Sequence, residues 1–240
     1  MKILVQFELS KNELPLDYRR ACVSFIKGSL FENSQELYEN LYGNNGTKQK
    51  NFTFNLKLTG PKFMENEIYL EGKDVLLSIS TNDIGLGIDL YNSILGRKGK
   101  THPLSNDNFM KIKHVRLENH KNITTNEVMV KFYSPLVVRN HIKGEKDIYY
   151  FYDDNDFNDG LKKCVENQMK NCSLNEISNF DVELIPINPK KVIVKTFGIN
   201  IPASIGVFKM KANTDVINAL YQFGIGSRRS EGFGLFEIIS

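Results

Sequence analysis

The order of strand-like and helix-like segments is the feature that most limits what this chain can fold into. Apolar and polar residues alternate strictly from Phe52 to Leu58, which indicates a half-buried strand. Segments with apolar residues at helical spacing lie between strands of this kind, for example Leu16–Leu30 and Val216–Phe223. Each half of the chain combines several strands with two such helices. We therefore predict an α+β fold made of tandem ferredoxin-like (RRM-like) βαββαβ domains.

The polar stretch Gly96–Asn108 is the natural boundary between the two halves. Its basic run, Arg97–Lys100, is typical of a solvated linker or an edge loop. We predict an N-terminal ferredoxin-like domain over residues 1–100 and a C-terminal one, with a glycine-rich loop, over residues 109–240. No sequence repeat relates the halves, so the duplication is a prediction about structure.

Composition excludes the disordered and fibrous classes, because 41% of the residues are hydrophobic and 25% are charged. The formal net charge of +3 fits a nucleic-acid partner and equally fits many soluble enzymes. No apolar run approaches the ~20 residues of a membrane span, so we expect a cytoplasmic protein without membrane contact. Cys22, Cys164 and Cys172 form no C-x-x-C pair, and we expect them to be buried, reduced thiols.

A segment with two glycine pairs around two arginines carries the strongest functional signal. Glycines leave amide N–H groups uncovered, so such a loop is able to curl around a phosphate, and arginines add charge-assisted contacts. The residues that we predict to contact phosphate here are Gly224, Gly226, Arg228, Arg229, Ser230, Gly232 and Gly234.

Two familiar glycine motifs do not fit this segment. A P-loop needs a lysine followed by Ser or Thr, and that pair is missing. A dinucleotide fingerprint opens a βαβ unit, whereas here a helix precedes the glycines and a strand follows them. The remaining alternative is a tight helix-to-strand connection whose glycines only let the backbone pass.

The glycine pattern resembles the C-terminal signature of the CRISPR-associated endoribonucleases that process precursor CRISPR RNA, the Cas6 family of the repeat-associated RNA-binding superfamily. Three other segments are similar to landmarks of that family: Leu14–Arg19, Lys50–Asn55 and Tyr133–Val138. The resemblance extends along nearly the whole chain. It implies a pair of ferredoxin-like domains that bind one CRISPR repeat RNA and cleave it without a metal ion or another cofactor.

Metal-independent cleavage of this kind uses the RNA's own 2′-hydroxyl as the nucleophile. The protein then supplies a base, an acid for the leaving 5′-oxygen and cations for the phosphate. The resemblance places a histidine after the first helix, but Leu37–Lys50 contains none. Depending on where the gap is drawn, Tyr38, Asn40 or Tyr42 occupies its position, and Phe31 replaces a family tyrosine.

Lysines are the remaining candidates for the chemistry and for RNA binding. Lys50 matches a lysine that some family members carry, which implies phosphate stabilisation and a proton for the leaving oxygen. Lys48 lies two residues before it, on the same side if the strand extends that far. Lys209 and Lys211 share one face of a strand, and we predict that they contact RNA. The histidines are expected at surface or edge positions, without metal-ligand spacing: His102, His114, His120 and His141.

Three hypotheses follow from the sequence. The first is an endoribonuclease that converts precursor crRNA into mature crRNA. The second is a non-catalytic or weakly catalytic repeat-RNA-binding protein, since the histidine is absent. The third is a ferredoxin-like protein for a phosphate or small-molecule ligand. The sequence leaves open whether the protein forms a homodimer or joins other CRISPR-associated effector subunits.

Overall fold

The computed structural model describes residues 1–43, 49–142, 144, 146–171 and 180–239. The described residues of the first half form eight strands and three helices. In chain order these are β1 (Lys2–Leu9), β2 (Glu13–Pro15), α1 (Tyr18–Asn33), α2 (Gln35–Tyr42), β3 (Phe52–Lys57), β4 (Lys62–Phe63), β5 (Glu67–Tyr69), β6 (Asp74–Thr81), α3 (Ile84–Leu95), β7 (Thr101–Pro103) and β8 (Phe109–Glu118).

The main sheet of the first half has the strand order β3-β6-β1-β8-β7, with every neighbouring pair antiparallel. Helices α1 and α3 pack together and supply buried side chains to the core on one face of this sheet. The alternation predicted from Phe52 onward is present, with Phe52, Phe54 and Leu56 buried. The arrangement is a ferredoxin-like βαββαβ unit built from β1, α1, β3, β6, α3 and β8.

The predicted domain boundary lies too early in the chain. Strand β8 pairs with β1 along its length, from Lys2 opposite Glu118 to Leu9 opposite Met110. The fourth strand of the first unit therefore comes from residues that the sequence had assigned to the C-terminal domain. Residues 101–108 form the edge strand β7 and its turn, and the first unit ends after Glu118.

The second half repeats the topology. It contains β9 (Glu127–Leu136), β10 (Val138–Asn140), β11 (Ile148–Tyr150), α4 (Phe157–Asn171), β12 (Val182–Thr196), β13 (Ile199–Ala212), α5 (Thr214–Phe223), a 3₁₀ helix (Arg229–Glu231) and β14 (Phe236–Ile238). The sheet order β12-β13-β9-β14 is that of a second βαββαβ unit. Strands β12 and β13 pair from end to end and form a long hairpin. The predicted tandem ferredoxin-like fold is confirmed.

The two units have separate cores of buried side chains. Cys22 and Cys164 are buried and free, as expected, and Cys172 lies outside the described residues. Among the described residues, no helix is both long and apolar enough to cross a membrane.

Candidate nucleic-acid interface

The glycine segment, residues 224–234, follows α5, and all four of its glycines have positive φ. Gly224, at φ +79, occupies the position where glycine commonly ends a helix. A side chain is excluded at Gly234, since a Cβ there would lie 1.9 Å from the Ile225 carbonyl oxygen. That approach is part of the structure, because the Ile225 amide donates to the Gly234 carbonyl at 3.0 Å. The glycines are needed for a tightly folded backbone.

The amides of Gly224, Gly226, Gly232 and Gly234 all donate to acceptors inside the protein. These acceptors are, in the order of the donors, the Leu220 carbonyl at 2.8 Å, Gln168 Oε1 at 2.9 Å, the Arg229 carbonyl at 2.9 Å and the Pro135 carbonyl at 2.9 Å. An N–H group that is already paired is not available to a phosphate. The predicted role of these four glycines is therefore corrected: they shape the segment, and their amides do not face a ligand.

The same segment joins the two halves of the molecule. Thr53 Oγ1, on β3, donates to the Phe233 carbonyl at 2.7 Å. Arg19, on α1, is 7% exposed and donates from Nε to the Gly232 carbonyl at 3.2 Å. Its guanidinium also lies 5.0 Å from the centre of the Phe233 ring. These buried contacts fix the glycine segment to the first ferredoxin-like unit.

The two arginines of the segment have different surroundings. Arg229 is 3% exposed, donates from Nη1 to the Phe223 carbonyl at 2.9 Å and stacks on the Phe223 ring. Burial among protein partners gives it a structural role in place of the predicted phosphate contact. Arg228 is half-buried at the surface, where Nη1 donates to both Glu231 carboxylate oxygens at 3.2 and 2.9 Å. Its Nη2 donates to the Tyr149 hydroxyl at 3.4 Å.

Two lysines lie against one aromatic ring beside this segment. The Nζ atom of Lys27, on α1, is 5.0 Å from the centre of the Tyr42 ring, and that of Lys50 is 4.7 Å from it. Aromatic rings attract cations, so Tyr42 holds the two ammonium groups near each other. We call these three residues the lysine site. A bound anion would relieve the repulsion between the ammonium groups of Lys27 and Lys50.

Burial shifts the acid–base properties of the lysine site. It lowers the pKa of Lys50, the carboxylate of Glu231 opposes this shift, and the charge of Lys27 lowers the pKa further. The Tyr42 hydroxyl is buried and has no partner among the described residues. Burial, followed by the neighbouring Tyr38, raises the pKa of Tyr42. Tyr42 therefore stays protonated and supports the lysines through its ring.

A shallow groove along α1 leads to the lysine site. Its floor consists of α1 side chains that recur three or four residues apart, and its walls come from α2 and the β12–β13 turn. The lining residues are Arg20, Val23, Ser24, Lys27, Gly28, Phe31, Tyr38 and Phe197. Cations beside exposed rings suit a single RNA strand, whose phosphates are charged and whose bases stack.

The structure brings some of the predicted catalytic residues together. The Tyr38 ring packs against the Tyr42 ring, with centroids 5.9 Å apart, so both lie at the lysine site with Lys50. Asn40 is exposed and points to another side of α2, since two residues span ~200° of helix. Lys48 lies outside the described residues. Ser230 is half-exposed on the 3₁₀ helix.

Lys209 and Lys211 lie away from this groove. They share one strand face, as predicted, but both pair with the Glu127 carboxylate, at 2.5 and 3.5 Å. The start of β13 lies beside Phe197, and Lys211 is 12 residues beyond Ile199, which corresponds to roughly 40 Å of strand. The structure therefore does not place these lysines in the same site as Lys50.

The histidines supply no base at the lysine site. His114 and His141 are exposed, as expected. His102 is on the edge strand β7 but is buried against Phe25, and its pKa is lowered by that burial. His120 is half-buried between the two units. Among the described residues, no group of His, Cys, Asp and Glu side chains is arranged to hold a metal ion.

Sequence reasoning missed most of the groove, including both of its cations and an exposed ring: Arg20, Lys27 and Phe197. The spacing of Arg20, Ser24 and Lys27 on the polar side of α1 was a usable signal, because residues three and four apart share a helix face. No local signal identified Phe197. Its position depends on the hairpin turn, where its amide donates to Asp17 Oδ2 at 2.9 Å.

Comparison with known protein families shows which family this chain belongs to. The family model described as CRISPR associated protein Cas6, C-terminal, matches residues 117–238, which is just over half of the chain. The chain belongs to the Cas6 family. This match begins at the last two residues of β8 and spans the second ferredoxin-like unit. No curated protein sequence matches the chain.

Solved structures of Cas6 and related proteins share the fold over the full length. An RAMP protein that binds different RNA substrates has a TM-score of 0.85 and 18% identity, with 100% of both chains covered. The product of a Cas6-related gene from Pyrococcus furiosus has a TM-score of 0.83 and 21% identity, covering 100% of this chain and 98% of its own. Thermus thermophilus Cas6 has a TM-score of 0.57 and 17% identity, with coverage of 100% and 98%. At these identities the likeness shows the tandem fold.

Proposed function

We propose that this Cas6-family chain binds CRISPR repeat RNA and cleaves it without a metal ion, producing mature crRNA from its precursor. The observation that carries the proposal is the lysine site, where Lys27 and Lys50 lie against one ring. The groove along α1 would deliver the RNA strand to this site. Arg228 and Glu231 border it on the side of the second unit.

The chemistry is a transesterification within the RNA. The 2′-oxygen forms a bond to the adjacent phosphorus while the bond from phosphorus to the 5′-oxygen breaks. The 2′-hydroxyl loses a proton, the leaving 5′-oxygen gains one, and the products carry a 2′,3′-cyclic phosphate and a 5′-hydroxyl. Neither a protein nucleophile nor water is consumed in this step.

The side chains present fit two of the three roles that this reaction needs. Lys27 and Lys50 neutralise charge that develops on the phosphate. Burial lowers the pKa of Lys50, which favours this ammonium group as the proton donor for the leaving oxygen. In this proposal the Tyr38 side chain orients the 2′-hydroxyl, whereas Tyr42 keeps its proton.

A binding-only function is the second candidate, and the absence of a base favours it. No histidine lies at the lysine site, and burial raises the pKa of the Tyr42 hydroxyl. General acid–base assistance typically contributes ~10²–10⁴ to a rate. A protein without a base would therefore cleave RNA slowly, or would bind RNA without cleaving it.

Single-turnover incubation with cognate repeat RNA in EDTA separates the two candidates. We expect a product that ends in a 2′,3′-cyclic phosphate, and we expect Lys50→Ala to bind RNA but to lose that product. Binding without any cyclic-phosphate product after prolonged incubation would leave the binding-only function. A wild-type protein that does not bind repeat RNA at moderate salt would contradict both candidates.

A further inference from the structure

The hairpin formed by β10 and β11 presents a polar face that the cleavage mechanism does not use. Arg139 pairs with Tyr149 across the two strands, and Asn140 pairs with Ile148. Continuing this register places His141 opposite Asp147. Side chains of directly opposed and alternate residues share a sheet face, so all four polar residues point to the same side.

One carboxylate organises this face. Asp147 accepts a hydrogen bond from Arg139 Nη1 at 2.8 Å through Oδ2, and its Oδ1 lies 2.7 Å from His141 Nδ1. The Tyr149 hydroxyl donates to Asp147 Oδ2 at 3.4 Å. Burial opposes ionisation of Asp147, but the bonds from His141 and Arg139 outweigh it and lower its pKa. An ionised Asp147 holds the imidazole by Nδ1, which leaves His141 Nε2 pointing away from the pair, on a ring that is largely exposed.

Hydrogen bonds connect the hairpin face to the segment beside the lysine site. The Tyr149 hydroxyl accepts from Arg228 Nη2 at 3.4 Å, and Arg228 in turn binds Glu231. The charge of Glu231 acts on Lys50. The face is therefore continuous with the proposed cleavage site.

The charges along this path favour an anion. Four basic side chains lie along this path, those of Lys27, Lys50, Arg228 and Arg139, with two carboxylates, those of Glu231 and Asp147. Arg139 also has a buried Nε without an acceptor among the described residues. Arginine held by a carboxylate keeps its orientation and still has N–H groups for phosphate oxygens.

We propose that Arg139, His141, Asp147 and Tyr149 form a second anion site, the hairpin site, which binds a backbone phosphate of the RNA strand outside the scissile link. The proposal rests on the proposed function. Arg139 contacts the phosphate through its guanidinium, and His141 contacts it through Nε2 when the imidazole is protonated, because only the imidazolium donates from both ring nitrogens. Asp147 positions both side chains. The site lengthens the bound RNA segment and adds affinity without taking part in the bond-breaking step.

The test compares two RNAs, the full cognate repeat and a short RNA that carries only the nucleotides around the cleavage position. For Arg139→Ala we expect about tenfold weaker binding of the full repeat, as for loss of one charge-assisted hydrogen bond. The slope of log affinity against log salt should fall by about 0.7 for the lost phosphate contact. Cleavage of the short RNA should not change. His141→Ala should shift the same quantities in the same direction.

Two further variants serve as controls. Lys62→Ala removes an exposed cation from β4 and should leave both RNAs unaffected. Arg139→Lys keeps the charge if Arg139→Ala unfolds, and it should bind the full repeat less tightly than the wild type. If wild type and both Arg139 variants bind the full repeat equally and with equal salt slopes, the hairpin site is overturned. Cleavage by the wild type would still support the proposed function in that case. Equal losses on both RNAs would also overturn it, since they would show a structural role.

Discussion

The glycine segment and the lysine site adjoin each other but are built in opposite ways. The glycine segment is largely buried, and the amides of its four glycines donate hydrogen bonds to protein acceptors. The lysine site is half-exposed, concentrates like charges and contains a hydroxyl without a partner among the described residues. Buried polar groups that are fully paired stabilise a structure, whereas crowded charges prepare a surface for a ligand. The conspicuous motif therefore builds the junction, and the site that we propose for cleavage lies beside it.

The largest effect is expected from Gly234→Ala. The new Cβ would collide with the Ile225 carbonyl oxygen, and φ is +72. Relief requires breaking the surrounding backbone hydrogen bonds, so we expect the free energy of unfolding to fall by more than about 4 kcal/mol. Urea unfolding followed by circular dichroism measures this. Gly72→Ala is the matched control, since nothing lies within 4 Å of its Cβ position; equal effects of the two substitutions would contradict the structural role of the segment.

A substitution at the lysine site should reduce the cleavage rate and leave the free energy of unfolding within about 0.5 kcal/mol of the wild-type value. For Lys50→Ala we expect single-turnover cleavage to slow by ~10²–10⁴. Lys50→Arg should bind the repeat as tightly as wild type but cleave about 10²-fold more slowly, because guanidinium does not release its proton. Wild-type cleavage by Lys50→Arg would show that Lys50 acts through its charge alone.

The junction should also respond to acid through His120. Its Nε2 lies 3.0 Å from Ser80 Oγ in the first unit, and its ring packs on Tyr221 in the second. Burial, together with the N-terminal ammonium and Lys2, lowers the pKa of His120 to about 4. The unfolded chain binds the proton near pH 6.5, so the unfolded state carries more protons between pH 6.5 and 4. Stability should therefore fall as the pH falls through this window.

The size of this effect follows from the pKa difference, at about 1.4 kcal/mol for each unit, which gives on the order of 3 kcal/mol. His120→Gln should lose this part of the pH dependence, as measured by urea unfolding at several pH values. The exposed His114→Gln serves as the control and should retain the wild-type curve. Superimposable curves for wild type and His120→Gln would refute the assignment.

The smallest effect is expected where the β12–β13 turn closes the groove. Asp17 accepts hydrogen bonds from Thr196 Oγ1 at 2.5 Å and from the Phe197 amide at 2.9 Å. Asp17→Ala should lower the free energy of unfolding by about 1–2 kcal/mol and slow cleavage less than tenfold, because the turn moves away from α1. Asp17→Asn keeps a hydrogen-bond acceptor and should lose less stability and less cleavage activity than Asp17→Ala. A thermal melt and the cleavage assay together check both statements.

The sequence predicted the tandem fold because alternation and helical spacing survive in the final packing, as at Phe52 and Phe54. The predicted domain boundary was wrong because strand pairing is not local: β8 pairs with β1, from which it is separated by three helices and several strands. Tyr38, Tyr42 and Lys50 were identified as site residues through a resemblance, whereas Lys27 appears only once α1 and Tyr42 are in contact. The sequence could not show that the glycine amides are unavailable to a phosphate. Two of the acceptors that pair with them, Gln168 and Pro135, lie in distant segments of the chain.

The contacts of the glycine segment have a consequence for the order of folding. The bonds from Arg19 and Thr53 close loops of 213 and 180 residues. Contacts between such distant residues are slow to form. A partly folded chain whose first ferredoxin-like unit is complete already contains Lys27 and Lys50 but still lacks Arg228 and Glu231 beside them. Full competence toward RNA should therefore arise late, when the second unit docks on the first.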